Sequence, residues 1–136
     1  MGCCVSKFVC ELSKLEKSTI ENTQEFIVSG RIECKVLKVI DGDTLVISFL
    51  FNNKIYKHSL RLYGINCPET RTRDLEEKKK GLEVKEYMTE LLENKMIEVD
   101  MCAKREKYGR LLGTVYYKGE NICNKLIEIG HAVRYM

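Results

Sequence analysis

The chain has 136 residues, with 23 lysines and arginines against 20 aspartates and glutamates, so its formal net charge is +3. This length fits one domain, and the 44% of hydrophobic residues are enough for a core, which argues against a wholly disordered chain. The sequence has no apolar stretch long enough for a transmembrane helix, and the small net charge does not by itself indicate nucleic-acid binding.

The first residues, Met-Gly-Cys-Cys-Val-Ser-Lys, carry a lipidation pattern. Gly2 follows the initiator methionine, and Ser6 has the spacing of the N-myristoylation rule. One myristoyl chain binds membranes weakly, so we expect S-palmitoylation of Cys3 and Cys4 as a second signal. Nearby lysines that would add attraction to an anionic leaflet are Lys7, Lys14 and Lys17. The pattern predicts the cytoplasmic face of a membrane, the plasma membrane above all, in a eukaryote or the host of a eukaryotic virus. The alternative is an ordinary start of the chain, and in a bacterium the pattern would carry no such meaning.

Residues 1–29 are interpreted as a flexible, acylated tether, with a short helix over 11–20, and residues 30–136 as the folded domain. The seven cysteines contain no CxxC pair, which argues against a zinc site. Residues 1–25 lack the apolar run of a secretory signal, so free thiols in a reducing compartment are expected.

Three strands in an antiparallel meander are predicted next. Apolar and charged residues alternate from residue 31, Asp41-Gly42 is typical of a turn, and residues 44–50 form a second strand. Asn52-Asn53 predicts a hairpin to a third strand that ends at Leu62. The residues expected to share a face within each strand are Ile32, Cys34 and Val36, then Leu45, Ile47 and Phe49, then Tyr56, His58, Leu60 and Leu62.

The second half of the chain adds two helices and two strands. After a loop, Asp74 can cap a helix that runs to about Glu93. Residues 95–101 and 110–117 predict strands, and a helix over 121–129 ends at a glycine. The order β-β-β-α-β-β-α predicts an α+β fold, a five-stranded OB-fold barrel with attached helices.

Three polar clusters interrupt the strand pattern. They are Asp41-Gly-Asp43-Thr44, the segment RLYGINCPET from Arg61 to Thr70, and KREKYGR from Lys104 to Arg110. Each alone is typical of a solvated turn. Together they supply what water attack on a phosphodiester needs: arginines for the developing negative charge, a carboxylate to accept the proton of water, and oxygen ligands for a hard cation.

From about residue 30 to 135 the chain resembles the staphylococcal nuclease (thermonuclease) family. DGDT, RLYGINCPE, KYGR and a short helix that ends in glycine occur in the order and spacing of that family. The resemblance implies an OB-fold barrel and calcium-dependent hydrolysis of DNA and RNA.

The resemblance also implies catalytic roles. Arg61 would clamp the phosphate, Glu69 would orient or deprotonate the attacking water, and Arg110 would stabilise the transition state and the leaving group. The substrate contacts that it implies are Lys107, Tyr108 and Tyr135. The archetype of the family continues with another helix and further aromatic contacts, whereas this sequence ends at Met136.

The metal ligands that the resemblance implies are Asp43, Asn66 and the backbone carbonyl of Cys67, with Asp41 and Thr44 around them. The family usually has an aspartate where this chain has Asn66. The loss of one ligand charge should weaken Ca²⁺ binding and could shift the preference towards Mg²⁺ or Mn²⁺.

A membrane-tethered, monomeric, calcium-dependent nuclease is therefore the leading hypothesis, because Arg61, Glu69 and Arg110 are all retained. Asn66 favours a second hypothesis, a catalytically silent OB module that binds nucleic acid. A lipid-anchored adaptor is a third, and only the N-terminus supports it. Preference between DNA and RNA, and between internal and terminal cleavage, does not follow from the sequence.

Overall fold

Long strands and two capped helices form the folded region of the protein. The computed structural model describes residues 10–23, 29–103 and 108–135. The helices are α1 (10–16), α2 (Leu75–Leu92) and α3 (Ile122–Glu128). The strands are β1 (Gly30–Asp41), β2 (Thr44–Phe51), β3 (Lys54–Leu62), β4 (Ile65–Asn66), β5 (Met96–Met101), β6 (Leu111–Tyr117), β7 (Glu120–Asn121) and β8 (Val133–Arg134).

The sheet closes on itself through one parallel pairing. β1 pairs with β2 and β5, β2 with β3, and β5 with β6, all antiparallel. β3 then pairs with β6 in parallel, with Leu60 opposite Leu111 and Leu62 opposite Gly113. The pairings therefore run in a circuit from β1 through β2, β3, β6 and β5 back to β1. This confirms the predicted OB-like α+β fold.

The core lies inside this circuit and beneath α2. Alternation along β1 breaks at a bulge between Val36 and Lys38, so that Val39 rather than Lys38 is buried. α2 covers the core with Val84, Met88 and Leu92. The largest fully buried side chains are Leu45, Ile47, Leu60, Leu62, Ile65, Met88, Leu92, Ile122 and Leu126.

Helices α2 and α3 begin where the sequence predicts. The Asp74 carboxylate accepts hydrogen bonds from the amides of Glu76 at 3.0 Å and Glu77 at 3.3 Å, and Asn121 caps α3 in the same way. Gly130 follows α3 with a φ of +80°, a conformation that glycine adopts without strain.

Two glycines let α2 approach the loops at the end of the barrel. A Cβ atom at Gly42 would lie 2.4 Å from Val84 Cγ1 and 3.0 Å from Cys67 Sγ. A Cβ atom at Gly81 would lie 2.7 Å from the carbonyl oxygen of Glu69. Because neither gap accepts a methyl group, these glycines fix the β1–β2 turn and the loop after β4 against the helix.

The described residues include only part of the N-terminal region for which predictions were made. Residues 10–16 are helical and overlap the first part of the short helix predicted over 11–20. Among the described residues, no helix is long and apolar enough to cross a membrane. Gly2, Cys3 and Cys4 lie outside the described residues, so their lipidation stays a prediction.

Candidate active site

The candidate site lies where β2 begins and β3 ends. The antiparallel register sets Thr44 directly opposite Arg61, and the amide of Leu62 donates to the carbonyl oxygen of Asp43 at 2.9 Å. A short connection then leads from β3 to β4, which carries Asn66. The pairing of β2 with β3 therefore brings the first two polar clusters of the sequence together.

Arg61 joins two of the predicted metal ligands. Its Nη1 lies 3.5 Å from Asp43 Oδ2, and its Nη2 donates to Asn66 Oδ1 at 2.5 Å. Nη1 also donates to the carbonyl oxygen of Leu62 at 3.2 Å. The Arg61 and Asp43 side chains are each only 14% exposed, so this ion pair is shielded from most of the solvent.

Asp43 is held in place through both of its carboxylate oxygens. Oδ2 accepts a hydrogen bond from the Cys67 amide at 3.0 Å, and Oδ1 accepts one from the Thr44 hydroxyl at 3.2 Å. Burial raises the pKa of the Cys67 thiol to about 12, and the negative charge of Asp43 adds to the shift. The thiol is buried, and the contact of Cys67 with Asp43 is made by its backbone amide.

Arg110 is linked to the same aspartate through Thr44. Its Nη1 donates to Thr44 Oγ1 at 3.3 Å, and Thr44 in turn donates to Asp43. The guanidinium carbon of Arg110 lies 5.7 Å from the centre of the Tyr108 ring, within cation–π range. Lys107 lies outside the described residues, so its predicted substrate contact stays untested.

Glu69 stands on a loop that is fastened from two sides. Its neighbour Thr70 donates a hydroxyl hydrogen bond to Asp41, which ties the loop to the β1–β2 turn. Gly81 of α2 packs against the carbonyl oxygen of Glu69 on the other side. The Glu69 side chain is exposed, and within the described ranges no hydrogen bond or ion pair links it to Arg61 or Asp43.

The C-terminal segment lies beside the predicted metal ligand. β8 pairs with β4, with Val133 opposite Asn66, and the amide of Tyr135 donates to the carbonyl oxygen of Gly64 at 2.9 Å. The Tyr135 side chain is exposed, as is that of Tyr108. Sequence reasoning missed this contact because two-residue strands leave no periodic pattern. It also missed the bond between Thr70 and Asp41, although both residues stand within the polar clusters.

The side-chain oxygens of the candidate site are of the type that a hard cation prefers, but they are too few to fill its coordination shell. Asp43 offers a carboxylate oxygen and Asn66 an amide oxygen, and both already face the positive charge of Arg61. Ca²⁺ takes about six to eight oxygen ligands, so backbone carbonyls and water would have to supply most of them. Among the described residues, no group of three or more His, Cys, Asp or Glu side chains could hold a metal. Among the residues predicted to hold a cation, Asp43 is therefore the single ligand charge.

Comparison with known proteins assigns the sequence of the chain to a family. A family model described as staphylococcal nuclease homologue matches residues 59–136. The chain is 28% identical over 99 residues to a thermonuclease of Staphylococcus hyicus, covering 72% of this chain and 56% of that protein. It is 31% identical over 97 residues to endonuclease YncB of Bacillus subtilis, covering 70% and 44%.

A third relative is an uncharacterised endonuclease of Haemophilus influenzae, 30% identical over 102 residues, covering 75% of this chain and 52% of that protein. The chain thus spans about half the length of these curated relatives. The family model covers more than half of the chain, including Arg61, Asn66, Glu69 and Arg110. The chain therefore belongs to the staphylococcal nuclease family.

Proposed function

We propose that this chain is a monomeric, calcium-dependent nuclease that hydrolyses phosphodiester bonds of DNA and RNA by attack of water on phosphorus. The family and its nuclease-named relatives support a nuclease-type hydrolase. One observation carries the proposal. A continuous set of contacts runs from Arg110 through Thr44 and Asp43 to Arg61 and Asn66.

This set of contacts can stabilise the charge that develops on a phosphodiester under attack. Arg61 on β3 contacts Asp43, and Arg110 just before β6 contacts Thr44, so a phosphate bound beside this pair would meet planar donors from both arginines. The partners of both arginines are protein atoms that the fold fixes, so little reorganisation is needed when charge develops.

Glu69 is the group proposed to receive the proton of the attacking water. Its loop is fastened through Thr70 and Gly81, while the carboxylate itself stays accessible to solvent and substrate. Asp43, Asn66 and the carbonyl oxygen of Cys67 are the residues proposed to hold calcium. When bound there, the cation would supply positive charge to the phosphoryl oxygens. Lys107, Tyr108 and Tyr135 are proposed to contact the substrate.

A nuclease assay across metals tests this proposal and the consequence of Asn66 together. The purified chain should cleave single-stranded DNA and RNA oligonucleotides with Ca²⁺, and chelation should stop cleavage. Asn66→Asp restores a ligand charge, so half-maximal activity should need about tenfold less Ca²⁺. Asn53→Asp makes the same charge change at the far end of the β2–β3 hairpin, and it should leave the Ca²⁺ requirement unchanged.

The second candidate function is a catalytically silent module that binds nucleic acid. Asn66 favours it, because this side chain brings one charge fewer to the predicted metal ligands. Salt-dependent binding of oligonucleotides without chelator-sensitive cleavage would support the silent module and contradict the nuclease.

We further propose that the N-terminus tethers the protein to the cytoplasmic face of the plasma membrane. The support is the pattern of Gly2, Cys3, Cys4 and Ser6. Gly2→Ala abolishes the myristoylation site, and in eukaryotic cells it should move most of the protein from the membrane to the soluble fraction. Fractionation with a Ser13→Ala control measures this shift. Unchanged membrane association of Gly2→Ala would contradict the acylation proposal.

A further inference from the structure

The outer end of the β2–β3 hairpin exposes apolar side chains away from the candidate active site. Leu50 is 72% exposed and Ile55 is 74% exposed, and Phe51 and Tyr56 are about half exposed. We refer to residues 50–57 as the hairpin tip. The strand pattern groups Tyr56 and His58 with Leu60 on one face of β3, but these two residues lie beyond the core and are exposed. The outer ends of β2 and β3 therefore extend beyond the core of the barrel.

The hairpin tip has a defined shape. Asn52 and Asn53 adopt φ values of +51° and +64°, which are typical of a tight two-residue type I′ turn. Leu50 pairs with Ile55 across the two strands. The rings of Phe51 and Tyr56 make an edge contact at 6.4 Å. The apolar groups are therefore presented together on a paired hairpin.

Positive charge lies immediately behind these apolar side chains. The sequence contains no aspartate or glutamate from Thr44 to Pro68. Ser48 pairs with Lys57 on one side and with Lys35 of β1 on the other. Ser48 stands two residues before Leu50, so both lysines lie on the same face of the sheet as Leu50 and Ile55, two residues further from the turn. Lys54 adds a third positive charge at the turn.

We propose that the hairpin tip docks into the surface of a membrane that contains anionic lipids. Aliphatic and aromatic side chains enter the boundary between headgroups and acyl chains, while lysines behind them meet the anionic headgroups. The absence of carboxylates over the whole hairpin removes the repulsion that would oppose this contact. This inference is independent of the proposed N-terminal acylation.

Nucleic acid and a second copy of the chain fit the hairpin tip less well than a membrane does. Nucleic acid held at Arg61 would lie at the opposite end of the hairpin, because the seven steps from Thr44 to Phe51 span about 24 Å. A second copy that docked tip to tip would bring the lysines of both chains together, which like-charge repulsion disfavours. Membrane docking instead leaves the candidate active site facing away from the anionic surface.

Vesicle binding tests the proposal. The full chain is produced without an N-myristoyltransferase, so that no acyl group contributes. It is then sedimented with phosphatidylcholine vesicles that contain about 30% phosphatidylserine, a fraction chosen to give a strong surface charge. Leu50→Ser combined with Ile55→Ser should weaken binding at least about tenfold, and Lys57→Gln should weaken it about fivefold. Leu82→Gln, which removes an exposed leucine from α2, is the matched control and should bind like the parent.

The chain has no tryptophan, so Phe51→Trp provides a single reporter in the hairpin tip. Its emission should shift to the blue with these vesicles and be quenched by brominated lipids. Absence of vesicle binding by the parent, or equal binding by the double serine variant, would overturn the proposal. So would a double serine variant that loses oligonucleotide affinity, or one that dissociates a dimer of the parent, because the tip would then be a substrate or self-association surface.

Discussion

Glu69→Gln should lower the kcat of DNA cleavage by about 10²- to 10⁴-fold, the range expected when a general base is removed. The amide has nearly the same shape as the carboxylate but cannot accept the proton of water. Since the Glu69 side chain is exposed and its loop is held by Thr70 and Gly81, the thermal unfolding midpoint should stay within about 1 °C. Initial rates on a single-stranded oligonucleotide at saturating Ca²⁺ measure the effect.

The matched control for this prediction is Glu83→Gln. Glu83 is also an exposed glutamate, but it lies on α2 and has no place in the candidate active site. Both variants change the net charge by the same amount. Equal activity of Glu69→Gln and Glu83→Gln would show that Glu69 does not take part in the reaction.

Arg61→Lys should reduce kcat by about 10²- to 10³-fold, the cost expected when one preorganised donor to the transition state is lost. A lysine keeps the charge but not the planar fork that reaches Asp43 and Asn66 at once. Asn66 would lose the partner that fixes its amide oxygen. The Ca²⁺ concentration for half-maximal activity should therefore change as well as kcat.

Arg31→Lys is the corresponding control at a remote arginine. Arg31 pairs with Glu98 at 2.6 Å, lies over the Tyr116 ring and stands opposite Asp100 in the sheet, so its own contacts do not include the site residues. This substitution also keeps the charge while removing the fork, and it should leave kcat unchanged. A parent-like kcat in Arg61→Lys, with unfolding unchanged, would contradict the phosphate-clamping role.

The helices and long strands were predictable because local chemistry marks them. Asp74 and Asn121 place the two helix starts, and alternating apolar residues mark the strands. The bulge after Val36 was not predictable, since an inserted residue changes which side chains are buried without a distinct sequence signal. Tyr56 is exposed because β3 extends past the core. The alternation of residues along one strand indicates which side chains share a face, but not where the core ends along that strand.

The candidate site was predictable as a set of residues but not as an arrangement. The polar clusters identify Asp43, Arg61 and Arg110, and the structure joins them through Thr44. The position of Thr44 between two arginines depends on strand register and on the parallel pairing of β3 with β6. Such pairings follow from the whole fold rather than from spacing along the chain. The catalytic roles themselves stay predictions until the variants are measured.

The β3–β6 pairing also has a consequence for synthesis on the ribosome. It joins Leu60 to Leu111, so a nascent chain cannot close the sheet until β6 has emerged from the ribosome. Arg61 and Arg110 lie at this same junction. Nascent chains or fragments that stop before β6 would therefore lack the second arginine and a closed barrel. A site that needs both arginines would therefore form only after β6 has been translated.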